Sequence, residues 1–389
     1  MESGQNNRAI ASLIAARVVY AVNWLNVGAI FVLMGPDLGS GVGGLGTLTS
    51  AFYLGIGLMQ LPGGVIAARW GPKKTVVIGV FMSSLSALAT AAAPSIPVAA
   101  VLRFLVGWGM AFVFAPGVVI VARLLRGGKT GTGVGLFNSA YDVGGLLGIS
   151  GWVVLATATG WRPSLALGGG LGVLTGLLIM FLVPPDAPAE DFRVDPRLLR
   201  GIVADRQLIL LGLATLGLSI GNIVISSFMG YYVVKTFGVS PAVGGAVQGL
   251  IVAVPIVTAF LGGRVYDRSD RPRRLMVLAL LGGSLALATG AYPSLLTAIA
   301  CSALGGVVSG LGYTVAFAGA KDLNRFGERY DGLAVAWVNG ISLTGSFVTP
   351  LIYSYLVVSA NYLVAWLGCS IISFGFLIPL MMMTKRFRA

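Results

Sequence analysis

Three charged residues lie inside apolar stretches that are long enough to cross a membrane: Arg17, Arg103 and Asp142. A charge inside hydrocarbon costs at least about 2.5 kcal/mol on insertion scales, so such residues usually face a cavity or a partner. A guanidinium group binds an anion with two parallel hydrogen bonds, and a carboxyl group near it can take up and release a proton. The three residues therefore indicate anion binding and proton transfer.

Their positions along the predicted helices allow Asp142 and Arg103 to pair. At about 1.5 Å per residue, Asp142 lies roughly 16 Å along a helix that begins near Gly131, close to the membrane midplane. Arg103 lies roughly 10 Å along a helix that begins near Pro97. These depths are compatible with a salt bridge, which is either part of a coupling mechanism or a permanent structural pair. Arg17 either extends to the inner membrane surface or faces inward.

Polar and aromatic residues near Arg17 make the first helix unusual for one that faces lipid. Tyr20, Asn23, Trp24 and Asn26 predict that this helix forms a wall of a cavity. The remaining candidate contacts to a substrate are polar residues in other apolar stretches, and each could equally join two helices. They are Asn138, Asn222, Gln248, Tyr313 and Asn339.

The composition is that of a membrane protein. Hydrophobic residues make up 56% of the 389 residues and charged residues 10%, whereas soluble domains carry about 25% charge. This excludes a soluble enzyme, a disordered chain and a nucleic-acid-binding domain. Twelve apolar stretches lie near 9–35, 43–68, 74–94, 97–124, 132–158, 163–184, 207–234, 242–265, 273–292, 295–320, 331–357 and 361–383. Because backbone groups must be paired within lipid, we expect these twelve spans to be helices.

The residues available for catalysis or metal binding are few. There is no histidine, and the two cysteines, Cys301 and Cys369, lie apart within apolar stretches. No nucleophile, base and orienting group occur together, and no glycine-rich stretch follows a strand as a phosphate-binding loop does. We therefore expect no enzymatic activity, no metal and no cofactor, with the proton as the coupling ion.

The basic residues set the orientation. With the N-terminus inside, Arg162 and Lys235 fall outside and Arg17 and Arg103 fall within spans, whereas every other Lys and Arg falls on the inner side. Cytoplasmic loops carry such an excess, so both termini are predicted to be cytoplasmic in a cell membrane. This placement also explains the net charge of +13 without a nucleic-acid partner.

The longest polar stretch divides the spans into two sets of six. We expect an N-terminal six-helix bundle over 1–184, a cytoplasmic linker over 185–206 and a C-terminal six-helix bundle over 207–389. The halves also repeat, since similar sequence offsets place Asn23 on Asn222 and Asn138 on Asn339. The expected fold is thus an all-α polytopic membrane protein, with twelve transmembrane helices in two pseudo-symmetric bundles.

Two loops carry a resemblance to the major facilitator superfamily. The loop after span 8 is similar to the family's basic, glycine-rich loop, and the loop after span 2 is a second copy with Ala68 at the aspartate position. The Arg103-Phe104-Leu105-Val106-Gly107-Trp108-Gly109 segment of span 4 also resembles a family pattern. The resemblance implies a transporter whose loops act as gates. The implied gating residues are Gly64, Arg69, Gly71, Lys73, Gly263, Asp267, Arg268 and Arg271.

These features together predict a secondary active transporter that works by alternating access. We expect a monomer in the lipid bilayer that moves a small organic molecule, favoured as an organic anion carried with protons. One alternative is a proton-coupled exporter of amphipathic drugs or cations, although the proline motif of drug antiporters is missing from span 5. The other is a sensor or receptor on the same fold that binds a ligand without transporting it.

Overall fold

The computed structural model describes residues 2–125, 130–186, 196–269, 271–327 and 330–384, and over these ranges the chain is helical. Spans 1 to 6 are Glu2–Asp37, Val42–Trp70, Pro72–Thr90, Ile96–Leu124, Thr130–Leu146 continued by Leu147–Gly151 and Trp152–Thr159, and Trp161–Leu182. A short helix, Pro196–Val203, precedes the second half. Spans 7 to 12 are Arg206–Phe237, Pro241–Arg268, Pro272–Gly290, Leu295–Leu323, Asp331–Ser359 and Tyr362–Met381.

The twelve predicted spans correspond in order to these twelve helices. Among the described residues, eleven helices are long and apolar enough to cross a membrane on composition alone. The twelfth is span 3, which begins with Lys73 and Lys74, and these two cations lower its mean hydropathy. The predicted all-α fold with two six-helix halves is confirmed. Residues 187–195 of the predicted linker lie outside the described residues, so the division at 185–206 stays a prediction.

Four spans are interrupted just before a proline. The breaks in spans 4, 8, 11 and 12 precede Pro116, Pro255, Pro350 and Pro379. A proline has no N–H to bond the carbonyl four residues earlier and its ring pushes that carbonyl away, so the helix bends there. Span 5 instead contains a π-helical turn at Leu147–Gly151. These bends let the spans curve around the centre of the molecule.

Glycines allow neighbouring spans to approach closely. A Cβ atom added at Gly55 in span 2 would overlap the backbone of Phe104 in span 4, and one at Gly107 would overlap the backbone of Phe52. In lipid, where apolar burial gives little net drive for helix association, small residues at the contacts maximise van der Waals packing. The aromatic ring of Phe52 is thereby held against the helix that carries Arg103.

The repeat is visible in a pair of equivalent contacts at the start of spans 3 and 9. Lys73 Nζ donates to the carbonyl oxygen of Val183, where span 6 ends. Arg273 donates to the carbonyl oxygens of Met383 at 3.0 Å and Met381 at 2.8 Å, where span 12 ends. One sequence offset relates Lys73 to Arg273 and Val183 to Met383. In each half, the start of the third helix is therefore hydrogen-bonded to the end of the sixth helix.

The two halves meet along three pairs of spans. Span 2 packs on span 11, with Gly57 against the backbone of Thr344. Span 1 packs on span 7, and where the C-terminal part of span 5 meets the N-terminal part of span 8 the Ser150 hydroxyl donates to the Gly245 carbonyl oxygen at 3.0 Å. The opposite ends of spans 5 and 8 lie farther apart, and Phe260 of span 8 is 62% exposed. The centre of this interface carries the polar and aromatic residues described next.

Candidate functional site

Arg17 is buried among aromatic rings. Its guanidinium carbon lies 4.4 Å from the ring centroid of Tyr20, 4.6 Å from that of Phe114, 4.8 Å from that of Tyr141 and 5.4 Å from that of Phe137. Its side chain is 7% exposed, and its Nε and Nη1 atoms have no hydrogen-bond partner. A cation is attracted to the faces of aromatic rings. Arg17 therefore faces inward, and its extension to the membrane surface is excluded.

Asp142 is under the electrostatic influence of Arg17 and not of Arg103, and in the described part of the chain no ion pair within 4 Å joins it to either arginine. The carboxylate is half-buried, and Arg17 is close enough to act on it electrostatically. The position of Asp142 follows from the packing of spans 1 and 5. These two helices run in the same direction, with Gly144 against Val18 and Gly148 against Val22. This register brings Asp142 level with Arg17.

Arg103 ties span 4 to span 1. Its Nη1 atom donates to the carbonyl oxygen of Asn23 at 2.8 Å, and its Nη2 atom donates to that of Trp24 at 3.1 Å. The side chain is buried, and its guanidinium carbon lies 4.6 Å from the ring centroid of Phe52. The predicted salt bridge between Arg103 and Asp142 is wrong, because the guanidinium reaches the backbone of span 1 instead. Its role as an anion anchor stays a prediction.

Five aromatic rings surround the middle of span 1. The Trp24 ring centroid lies 4.9 Å from that of Phe52, 5.7 Å from those of Tyr20 and Tyr141, and 6.0 Å from that of Tyr53. The Trp24 Nε1 atom donates to the Tyr53 hydroxyl at 3.3 Å. We call Tyr20, Trp24, Phe52, Tyr53 and Tyr141 the aromatic cluster. It extends from the surroundings of Arg17 to those of Arg103.

The sequence-based prediction missed most of these rings. Phe52, Tyr53, Phe114, Phe137 and Tyr141 were not among the candidates, although Phe137 and Tyr141 lie one helical turn apart and Phe52 and Tyr53 are adjacent. In an apolar span such residues are indistinguishable from lipid-facing ones until the packing is known.

Asn23 and Asn26 do not line the central cavity described below. Asn23 donates to the carbonyl oxygen of Gly168 in span 6 at 3.0 Å, and Asn26 donates to Asn23 at 3.4 Å. Both side chains are buried. They join span 1 to span 6, as polar groups between membrane helices often do. Of the four predicted wall residues, only Trp24 lines that cavity, whereas Tyr20 and Asn23 line a second small space between spans 1, 3, 4 and 6.

In the C-terminal half, the candidate polar residues bond to other helices. Asn222 donates to Ser309 at 3.1 Å, and Tyr313 shares a 2.9 Å hydrogen bond with Ser219. Gln248 donates to the Ser226 carbonyl oxygen and accepts from the Gly230 N–H at 3.1 Å. The two remaining candidates are Asn138 of span 5, in the N-terminal half, which is exposed, and Asn339 of span 11, which is half-buried. Substrate contact by these five candidates stays a prediction.

A small cavity lies where the aromatic cluster meets span 7. Its lining includes Trp24, Phe52, Tyr53, Arg103, Ser226 and Ser227. The space admits about one water molecule, so an organic solute would require the helices to separate. Both halves contribute to this lining, so separation of the halves would enlarge the cavity.

The loop after span 2 is fixed to its own half. Gly71 has a backbone φ of +95°, which favours glycine, and the carboxylate of Asp186 accepts from the N–H groups of Lys73 at 2.9 Å and Lys74 at 3.3 Å. A Cβ atom added at Gly64 in span 2 would lie 3.8 Å from the side chain of Leu333 in the other half. Asp186, which prediction missed, thus caps span 3 from the end of span 6.

The other predicted gating residues lie at the C-terminal end of span 2, at that of span 8 and, for Arg271, in the loop that follows span 8. Arg69, Asp267, Arg268 and Arg271 are exposed, and an added Cβ atom at Gly263 would meet open space. Their action as a gate stays a prediction.

Comparisons with known proteins place this arrangement among transporters. The model of the Major Facilitator Superfamily matches residues 13–220 and 209–388. The probable sulfoacetate transporter SauU of Cupriavidus necator is 26% identical over 181 residues, which cover 46% of this chain and 42% of that protein. The 4-hydroxybenzoate transporter PcaK of Pseudomonas aeruginosa is 28% identical over 166 residues, covering 41% and 36%. The chloramphenicol resistance protein of Streptomyces lividans is 31% identical over 129 residues, covering 33% of each chain.

The matches to these curated relatives span less than half of the relatives' length. Solved structures, in contrast, are similar to this chain over almost its whole length. A bacterial homologue of the human lysosomal transporter Spinster, inward-facing and occupied, superposes with a TM-score of 0.74 at 16% identity over 96% of this chain and 94% of that one. A D-xylose-proton symporter does so with a TM-score of 0.73 at 15% identity over 98% of each. The family model and the fold together show that this chain belongs to the major facilitator superfamily.

Proposed function

We propose that this transporter carries a small organic anion across the cell membrane together with protons. The observation that supports it most is the state of Arg17, a buried cation with two unpartnered nitrogens within electrostatic range of the carboxylate of Asp142. A buried hydrogen-bond donor without a partner destabilises the folded protein, and an anionic ligand would supply the missing acceptors. We therefore assign the substrate's anionic group to Arg17.

The proximity of Asp142 suggests how protons would enter the cycle. When Asp142 is ionised, its charge already compensates that of Arg17, so a second anion gains little there. When Asp142 takes up a proton, Arg17 is left without a counter-charge and attracts the substrate. Rocking of the two halves about the central cavity would then carry proton and substrate together. A site that holds both is electrically neutral, whereas a site that holds only one of them carries a net charge.

The names of the relatives agree with an anionic substrate. Sulfoacetate and 4-hydroxybenzoate, named for two of them, are both small organic anions. One structural neighbour is named a proton symporter. The named substrates are those of the related proteins, and they guide the choice of test compounds for this one.

The function is tested by flux in proteoliposomes that contain the purified protein. Sulfoacetate is a suitable probe because its sulfonate stays ionised and crosses lipid poorly. We expect an inward proton gradient to drive uptake of sulfoacetate or of another small anion above its equilibrium level. Uptake that stops at equilibrium would contradict proton coupling. If the protein binds small anions but moves none of them, it is a receptor on this fold.

The name of the chloramphenicol resistance protein favours a second candidate, the exporter of amphipathic drugs. In that case Asp142 would be the counter-ion of a cationic drug, and the aromatic cluster would pack against its apolar part. A screen of chloramphenicol and of organic cations in the same liposomes separates the two functions, since we expect an anion carrier to transport neither.

The orientation of the protein is a further prediction. We expect the cytoplasm on the side of both termini, because the basic loops lie there. Cysteines at Ser240 and Ser269 test this at the two ends of span 8. In right-side-out vesicles, an impermeant maleimide should label Ser240→Cys and leave Ser269→Cys unlabelled. The reverse pattern would invert the topology. Cys301 and Cys369 are buried and give little background.

A further inference from the structure

We infer that the substrate is a monocarboxylate with an aromatic ring, and that Trp24 selects for that ring. This inference rests on the proposed anion transport and names the class of anion. It begins from the aromatic cluster, whose four other rings lie at 4.9 to 6.0 Å from Trp24. Aromatic side chains attract other rings at such separations in tilted or edge-to-face arrangements.

The aromatic cluster runs between the two buried guanidinium groups. Arg17 contacts the rings of Tyr20 and Tyr141 at one end. Arg103 bonds the carbonyl oxygen of Trp24 at the other end, roughly 10 Å along the helix axis at 1.5 Å per residue. A carboxylate bound to Arg17 would therefore place the body of the substrate against the ring of Trp24.

One guanidinium is available for one carboxylate. Arg103 already donates from both terminal nitrogens to backbone oxygens of span 1. Arg17 has unpartnered Nε and Nη1 atoms. A second carboxylate would find only the Nε atom of Arg103, because both terminal nitrogens of that guanidinium are already bonded. This favours a monocarboxylate.

Polar side chains of spans 7, 10 and 11 are bonded to one another, while the small cavity itself is lined by the hydroxyl-bearing residues Thr49, Ser226 and Ser227. Ser219 bonds Tyr313 at 2.9 Å and Ser342 at 2.5 Å, and Asn222 bonds Ser309. A polyhydroxylated acid would have to break the bonds among spans 7, 10 and 11 to pair any hydroxyl that the cavity residues do not reach, at a cost for each group left unpaired. A flat ring makes no such demand, since it can bind through its faces and edges. The site therefore suits an aromatic acid better than a sugar acid.

The experiment compares two carboxylates that differ only in their ring. Benzoate has a flat aromatic ring, and cyclohexanecarboxylate has a saturated ring with the same number of carbon atoms. Their binding to the purified protein is measured by calorimetry at one pH. We expect the wild-type protein to bind benzoate roughly threefold to tenfold more tightly, which is the range for aromatic pair interactions. We expect Trp24→Leu to remove most of this preference and Trp24→Phe to keep part of it.

A tryptophan outside the aromatic cluster provides the control. Trp108 of span 4 contacts Phe104, with ring centroids 5.9 Å apart, and Trp108→Leu should keep the preference for benzoate. If Trp24→Leu does not fold, Phe52→Leu tests the same surface. Equal binding of the two carboxylates by the wild-type protein, or an unchanged preference in Trp24→Leu, would overturn the inference while leaving anion transport intact. Transport of organic cations without any anion would instead overturn the proposed function.

Discussion

Replacement of Asp142 by asparagine is expected to abolish proton-driven accumulation of the substrate while exchange across the membrane continues. Asparagine resembles the protonated carboxyl group in size and shape but cannot release a proton. The neighbouring Arg17 would then stay without a counter-charge, so the substrate should still bind. In proteoliposomes, Asp142→Asn should equilibrate labelled substrate with unlabelled substrate inside, and a proton gradient should no longer raise the internal level.

A carboxylate outside the site is the control for this experiment. Asp37 lies at the C-terminal end of span 1 and accepts from Trp161 Nε1 at 2.7 Å. Asp37→Asn should keep accumulation driven by the proton gradient, even if it lowers stability. Accumulation that persists in Asp142→Asn would show that another group carries the proton. Loss of all substrate binding in a folded Asp142→Asn protein would point to a cationic substrate.

Replacement of Arg17 by alanine is expected to weaken substrate binding about tenfold to a hundredfold. A hydrogen bond to a charged group contributes about 1.5–3 kcal/mol, and about 1.4 kcal/mol corresponds to a factor of ten. Arg17→Lys should restore part of this affinity, because lysine keeps the charge but lacks the planar donor pair and the stacking on aromatic rings. Calorimetric titration of the purified variants with the transported anion measures both effects.

Arg162 offers a matched control for Arg17. It also lies near an aromatic ring, with its guanidinium carbon 4.2 Å from the Trp161 centroid, but it sits outside the central site and donates to Ala91 and Ala93. Arg162→Ala should leave anion affinity unchanged. A folded Arg17→Ala protein with wild-type affinity would remove Arg17 from the binding site. In that case Arg103, whose Nε atom lacks a partner, would become the candidate anchor.

The sequence by itself determined the class of protein and the number of its helices. A stretch of about 20 apolar residues can satisfy its backbone in lipid only as a helix, so the apolar stretches indicate the spans. Even span 3, with Lys73 and Lys74 at its start, was predicted correctly. Arg17, Arg103 and Asp142 were also identified from sequence, because a charge in an apolar span stands out against its neighbours. Depth along a helix follows from residue number and rise per residue.

Only the tertiary structure decided which of these residues meet. Depth gives no information about the direction in which a side chain points or which helix lies opposite it. Arg103 was expected to pair with Asp142, but its guanidinium reaches the carbonyl oxygens of Asn23 and Trp24. Asp142 instead lies within electrostatic range of Arg17, because Gly144 and Gly148 let span 5 pack directly on span 1. The register between two helices arises from such contacts between residues distant in sequence, which no local pattern encodes.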